Sequence, residues 1–328
     1  MKIIILGAGS FIGQLIFAHY LQKGHRVIGI NRSKPNDIFQ WPRNKENQDY
    51  GEFWYKLNIV NDNDKIIDIV NKFEPHLIID FMGQGMVAPS WNTPELWYDT
   101  NLSKKAKLLN SFTKLKNLKK YIRASTPEVY GSNEKFLEES SNFNPSTPYA
   151  VSHAAIDFHL RCLGKQYNFP YIIGRFANFY GIGQQLYRVI PKLFLSCLTK
   201  KKFILDGGGK SLRSFIYGRD LIKAFDLMIN SNHKMEEFNF SSQEEISISS
   251  LVDKICYLTK TDREKIIIDG PERPGKDMYY RLQISKAEEQ LNWTPEVMLD
   301  EGLGEVYSWL SNSLDELATR SWDFRLKS

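Results

Sequence analysis

Cysteine is scarce and scattered in this chain of 328 residues: Cys162, Cys197 and Cys256 are its only three. They have neither the spacing of a metal site nor the even number of a disulfide framework, so each is expected to be a small buried apolar residue, and no metal is expected. No stretch approaches the ~20 apolar residues of a membrane span. The N-terminal apolar run Ile3-Ile4-Ile5-Leu6 is too short for a secretory core and passes straight into a glycine loop. Excess charge of one sign is missing too. Lys plus Arg number 43 against 38 Asp plus Glu, a net charge of +5 with no long basic block. That gives nucleic-acid binding no support and would suit an anionic small ligand. Together these absences predict a soluble cytoplasmic protein with no nucleic-acid or membrane partner.

What is present is an ordinary globular composition, 42% hydrophobic and 25% charged, over a length that suits about two domains. In the first half, short apolar runs alternate with amphipathic segments. Strands are expected at Ile3–Leu6, Arg26–Ile30, Phe53–Leu57, Leu77–Phe81 and Tyr121–Ser125, and helices at Phe11–Gln22, Lys65–Lys72 and Leu96–Phe112. Apolar runs without strict alternation indicate a parallel sheet covered on both faces, hence a doubly wound α/β fold. The polar stretch Asn31–Gly51 reads as a loop. After residue 180, glycine clusters and the turn Pro271-Glu272-Arg273-Pro274-Gly275 suggest a smaller lobe. Strands near 171–176 and 237–240 are expected to rejoin the sheet and interleave the two lobes.

Gly7-Ala8-Gly9-Ser10-Phe11-Ile12-Gly13 follows a strand and opens a helix. Such glycines permit a tight turn and a close backbone approach to pyrophosphate at the helix N-terminus. Residues 1–180 therefore read as a Rossmann-type dinucleotide-binding domain, its sheet completed by segments near 210–245, and 181–328 mainly as an interleaved substrate lobe. The second strand ends Asn31-Arg32-Ser33-Lys34. A carboxylate there would hold a ribose diol; its absence beside Arg32 and Ser33 favours NADP over NAD.

Ala124-Ser125-Thr126-Pro127-Glu128-Val129-Tyr130-Gly131, then Thr147-Pro148-Tyr149-Ala150-Val151-Ser152-His153, resembles the extended short-chain dehydrogenase/reductase superfamily in its nucleotide-sugar epimerase/dehydratase branch. Supporting motifs are Gln84, Ser90-Trp91, Asn101, Arg175-Phe176-Ala177-Asn178, Arg213-Ser214-Phe215 and Arg273-Pro274-Gly275. The members it matches best are nucleoside-diphosphate-hexose 4,6-dehydratases. The resemblance implies Tyr149 as the base at the sugar 4-hydroxyl, Thr126 and Ser125 as hydroxyls beside the reacting oxygen, and Glu128 as the base at C5. It implies a cofactor set that includes Asn58, Asn101, Tyr149 and His153 as well as the glycine loop. Gln84, Asn178, Arg188, Arg213 and Arg273 are implied for the nucleoside-diphosphate sugar, and a homodimer through helices near Leu96–Phe112 and Tyr149–Leu163.

Two positions depart from the pattern. His153 stands where the superfamily has lysine, and Pro127 stands where dehydratases carry Asp or Ser. Imidazole is shorter than a lysine and mostly neutral at pH 7, so restoring Lys at 153 is expected to raise the rate at neutral pH if the pocket has room. Proline has no proton to give. The dehydratase reading therefore has a 4-epimerase or a decarboxylase as alternatives, and a nucleotide-sugar-binding protein without redox activity as an alternative of another class.

Overall fold

The computed structural model describes residues 1–34, 53–272, 275 and 277–326. The chain runs β1 (Lys2–Leu6), α1 (Phe11–Gln22), β2 (Arg26–Asn31), β3 (Trp54–Lys56), α2 (Asn63–Phe73), β4 (Leu77–Asp80), α3 (Pro94–Tyr98), α4 (Lys104–Phe112), β5 (Lys120–Ser125), α5 (Pro148–Tyr167) and β6 (Tyr171–Phe176). It continues through β7 (Asn178–Tyr180), α6 (Val189–Thr199), β8 (Phe203–Asp206), β9 (Leu212–Tyr217), α7 (Gly218–Asn230), β10 (Glu236–Phe240), β11 (Glu245–Ser247), α8 (Ile248–Leu258) and β12 (Ile267–Gly270).

Seven parallel strands form the main sheet in the order β3-β2-β1-β4-β5-β6-β10. Strand order reverses between β1 and β4, which opens a crevice at their carboxyl ends, where this fold binds its ligands. Apolar residues cover both faces. Ile3, Ile5 and Ile79 pack with Phe17 of α1 and Phe225 of α7 on one side, and Ile4 and Ile78 pack with Val70 of α2, Leu109 of α4 and Ile156 of α5 on the other. Leu291 and Trp293 also pack inward, as a helix over Ser285–Leu291 brings them under the first face.

As expected near 237–240, β10 returns from the second lobe to pair with β6. By contrast, β9 lies in the same 210–245 range but joins a small sheet with β7 and β11. A separate core that includes Leu193, Phe194, Leu251 and Leu303 holds this lobe together. Two expectations are corrected. Cys197 and Cys256 are buried, but Cys162 is exposed, because position 162 falls on the outer face of α5. The helix expected over Leu96–Phe112 is α3 and α4 joined by a wider π turn over Asp99–Ser103, a distortion that often marks functional sites.

Candidate active site

The glycine loop is shaped for a dinucleotide. A Cβ at Gly7, whose φ is +74°, would lie 2.6 Å from the Met82 amide, and one at Gly9 would run into the Asn31 carboxamide. Only glycine permits that approach between the β1 and β4 ends. Ser10 caps α1, its Oγ accepting from the Gly13 amide at 3.0 Å, so the helix dipole faces the crevice with no acid in its first turn. These features fit a nicotinamide dinucleotide. Phe11 and Ile12 belong to the core and offer the site only their backbone. Asn31 donates to the Ser33 carbonyl at 3.2 Å, and Arg32 lies near the Tyr187 phenol. Asn58 accepts from the Val60 amide at 2.9 Å, shaping the turn after β3.

At the crevice, β5 is followed by Thr126, whose hydroxyl caps a tight turn over Pro127–Tyr130. Thr147 caps α5, and Pro148 in its first turn fits because that turn has no use for its amide hydrogen. Tyr149 follows, its amide donating to Ser90 Oγ at 3.2 Å. The Thr126 hydroxyl is close enough to Tyr149 to hydrogen-bond its phenolate. Burial, then the charge of Glu128, raise the phenol above its ordinary value, against Thr126, Arg188 and Arg123. Glu128 is pushed up to about 8, by burial first and then by Asp277, while Arg213, Tyr280 and Arg188 oppose the shift. A carboxyl held in that range can both take and give a proton near neutral pH.

Other expected residues have different neighbours. Ser125 donates to Asp157 at 2.8 Å, which engages its hydroxyl. Asn101, in the π turn, accepts from the Gln84 amide at 2.6 Å and donates to the Gln84 carbonyl at 3.1 Å and to Ser152 at 3.0 Å. It pins the loop after β4 to α5. Arg213 donates to the carbonyls of Leu212, Met278 and Asp277 and stacks on Tyr280 at 4.0 Å, so it braces the 277–280 segment beside Glu128. Arg188, at the start of α6, faces both Tyr149 and Glu128. Asn178 opens β7 opposite Phe215. Arg273 lies outside the described residues.

Sequence reasoning missed Tyr280, Asp277, Lys105 and Arg123. Lys105 is buried, donates to Asp80 and the Met82 carbonyl, and is pushed down to about 8 by burial. Arg123 donates through Nη2 to His153 Nδ1 at 2.9 Å. His153 lies well below the usual imidazole range because of burial, then Arg123 and Lys105.

The switch-point crevice, the glycine cradle and the Thr126–Tyr149–Glu128 grouping define an enzyme of the extended short-chain dehydrogenase/reductase superfamily, in its nucleotide-sugar dehydratase-like branch. Residues 4–306 match the family model described as GDP-mannose 4,6 dehydratase, and the chain belongs to that family. It is 32% identical to human dTDP-D-glucose 4,6-dehydratase over 198 residues, 58% of this chain and 56% of the human one, so it spans about half of that relative's length. It is 25% identical to Haemophilus influenzae dTDP-glucose 4,6-dehydratase over 330 residues, 94% of this chain and 97% of that one. Among solved structures, UDP-glucose 4-epimerase from Thermotoga maritima, bound to UDP-glucose, superposes with a TM-score of 0.85 at 25% identity, covering 96% of this chain and all of that one. The dTDP-glucose 4,6-dehydratase DesIV of Streptomyces venezuelae, with NAD bound, shares the fold at a TM-score of 0.85 and 22% identity, over 97% of this chain and all of its own.

Proposed function

We propose that this protein binds a nucleoside-diphosphate hexose, oxidises it transiently at C4 and removes water across C5 and C6. A bound nicotinamide cofactor supplies a reversible acceptor for the C4 hydride. Tyr149, as phenolate, takes the proton of the 4-hydroxyl while Thr126 steadies the same oxygen. The resulting 4-ketone acidifies C5–H, and Glu128 removes that proton. With Pro127 beside it offering none, Glu128 hands the proton to the C6 hydroxyl, which leaves as water. The cofactor would supply the hydride back to C6, and the proton added at C5 balances the one taken by Tyr149.

The observation that carries this reading is the convergence of Thr126, Tyr149 and a buried Glu128 raised to about 8. Mass spectrometry across a panel of nucleoside-diphosphate hexoses tests it, with a product lighter by one water expected. An unchanged mass with altered stereochemistry at C4 would make the protein a 4-epimerase, a reading that Pro127 favours. Loss of carbon dioxide from a hexuronic acid would make it a decarboxylase. Saturable binding with no reduced nicotinamide and no product would leave a binding protein.

NADP is the proposed cofactor. Arg32 and Ser33 stand at the end of β2, and Asn31–Lys34 contain no carboxylate, although the DesIV structure holds NAD. The proposed homodimer would use α3, α4 and α5, since Tyr98 on α3 and Val151, Phe158 and Cys162 on α5 are exposed. On α5 these three recur at helical spacing along one stripe. No helix among the described residues is long and apolar enough to cross a membrane. The three free cysteines support a cytoplasmic location.

A further inference from the structure

Tyr149, His153, Asp157 and Arg161 recur every fourth residue along α5, so they share one face of the helix. Asp157 accepts from Arg123 at 2.9 Å and from Arg175 at 3.1 Å. Glu237 on β10 accepts from Arg175 at 2.6 Å and from Arg161 at 2.5 Å. On the other side of Arg123, Asp80 lies 3.7 Å from its guanidinium and 2.5 Å from Lys105. Four cations thus alternate with three carboxylates from α4 across β4, β5 and β6 to β10. The row carries one positive charge in excess.

His153 meets this row at Arg123. A guanidinium has hydrogens to donate and no lone pair to offer, so the 2.9 Å contact fixes Nδ1 of His153 as the acceptor. The ring is then neutral, with its hydrogen on Nε2. Lys105 from α4 adds a second positive charge to the surroundings of the ring. Tyr149 packs beside His153 with ring centroids 4.5 Å apart and ring planes tilted by 48°, and is itself faced by Glu128, Thr126, Arg188 and Arg123. The imidazole therefore cannot bring a positive charge to Tyr149. Arg123 can, from the strand beneath.

We propose that Arg123 is a positioning residue that replaces the superfamily's lysine in two parts: its own charge favours the Tyr149 phenolate, and its hydrogen bond fixes His153 with Nε2–H as the donor presented to the site. The proposal deepens the reading of Tyr149 as the C4 base and rests on it. It also reverses the expectation that Lys at 153 would help. An ammonium there would stand against Arg123 and Lys105, so His153→Lys alone should lower turnover, whereas Arg123→Gln combined with His153→Lys should exceed both single variants.

Three measurements test this, two of them without cofactor. Nitrogen NMR of histidine-labelled protein, with His153 assigned from a His153→Gln spectrum among the six histidines, should show a neutral ring protonated on Nε2. It should stay so through the range near 6.5 in which an ordinary imidazole charges. A ring that titrates there, or carries its hydrogen on Nδ1, overturns the assignment. Tyrosinate absorbance, taken as native minus Tyr149→Phe, should titrate about one pH unit higher in Arg123→Gln, a roughly tenfold fall in phenolate at fixed pH. An unmoved curve overturns the charge role. If Arg123→Gln does not fold, His153→Lys decides alone, and native or faster turnover by that variant overturns the proposal. Failure of the dehydratase reading is seen separately, as absence of reduced nicotinamide and product from the native protein while the histidine and tyrosine spectra stand unchanged.

Discussion

Tyr280 and Glu128 face each other across the site. The Tyr280 phenol reaches the carboxylate and favours its charged form, while Glu128 Oε2 is buried with no hydrogen-bond partner among the described residues. Removing the phenol in Tyr280→Phe should raise Glu128 further above about 8. Since Glu128 must be ionised to take the C5 proton, the alkaline rise of the elimination rate should move up by about one pH unit, a roughly tenfold loss at neutral pH. The pH profile of kcat/KM checks this.

Glu128→Gln should separate the two halves of the reaction. Water loss should stop, while reduced nicotinamide still forms and accumulates in a stopped-flow trace. Tyr149→Phe should abolish both signals. Because the Glu128 charge raises the Tyr149 phenol, the glutamine variant should also show Tyr149 ionising at lower pH.

Asp226 ties α7 to α1. It accepts from His19 at 2.9 Å, from Lys23 at 2.7 Å and from the Tyr20 phenol. Burial acts to raise this carboxyl, but those hydrogen bonds outweigh it and hold it well below the usual carboxylate range. A carboxyl depressed on folding stabilises the protein above its unfolded value of about 3.9 and loses that contribution as pH falls through the folded value. Asp226→Ala should therefore cost about 1.5–3 kcal/mol at neutral pH, the worth of a hydrogen bond to a charged group. The deficit against native should shrink in acid, as thermal unfolding across pH would show.

Arg32→Ala should remove most of the proposed preference for NADP over NAD, at about 1.5–3 kcal/mol for a charge-assisted hydrogen bond. Fluorescence titration of native and variant protein with both cofactors measures it. Equal curves for the native protein would refute the preference.

Phe158 is 48% exposed on α5. Phe158→Glu should convert the proposed dimer to monomers in light scattering, because two carboxylates would meet near a two-fold axis. Alkylation of Cys162 should be slow in the native protein and fast in this variant, with Cys197 and Cys256 unreactive in both.

Much of the fold was legible because parallel strands buried on both faces are nearly all apolar, and β1, β4 and β6 are such runs. The glycine loop was legible because its backbone constraint acts within seven residues. Thr126, Tyr149 and Glu128 were legible through their motif, and the structure brings them together. Ser125 belongs to the same motif, but its hydroxyl is held by Asp157, a contact 32 residues away in sequence. The ionic row under the site was harder to see, since Asp80 and Arg123 belong to no motif and Arg175, though it opens the Arg175-Phe176-Ala177-Asn178 motif, carried no implied role. Their signal was a charge set in each of three apolar strands, read together with the four-residue period of polar residues on α5. Only the strand register, which pairs Asp80 with Arg123 and Ser125 with Arg175, turns those isolated charges into a row. The π turn at Asn101 was hidden because its cause, the clamp on Gln84, is tertiary.

The return of β10 to the edge of the main sheet affects how the chain comes to be folded. Strand β6 gains its outer neighbour, and Arg175 gains Glu237, from residues 236–240. During synthesis, the nucleotide-binding half therefore waits with an open strand edge and an arginine short of one carboxylate until some sixty residues of the second lobe have emerged. A fragment ending at residue 180 would carry the same open edge permanently, a template for pairing with another chain. Cutting between the two halves should therefore yield an aggregating piece instead of a free-standing module.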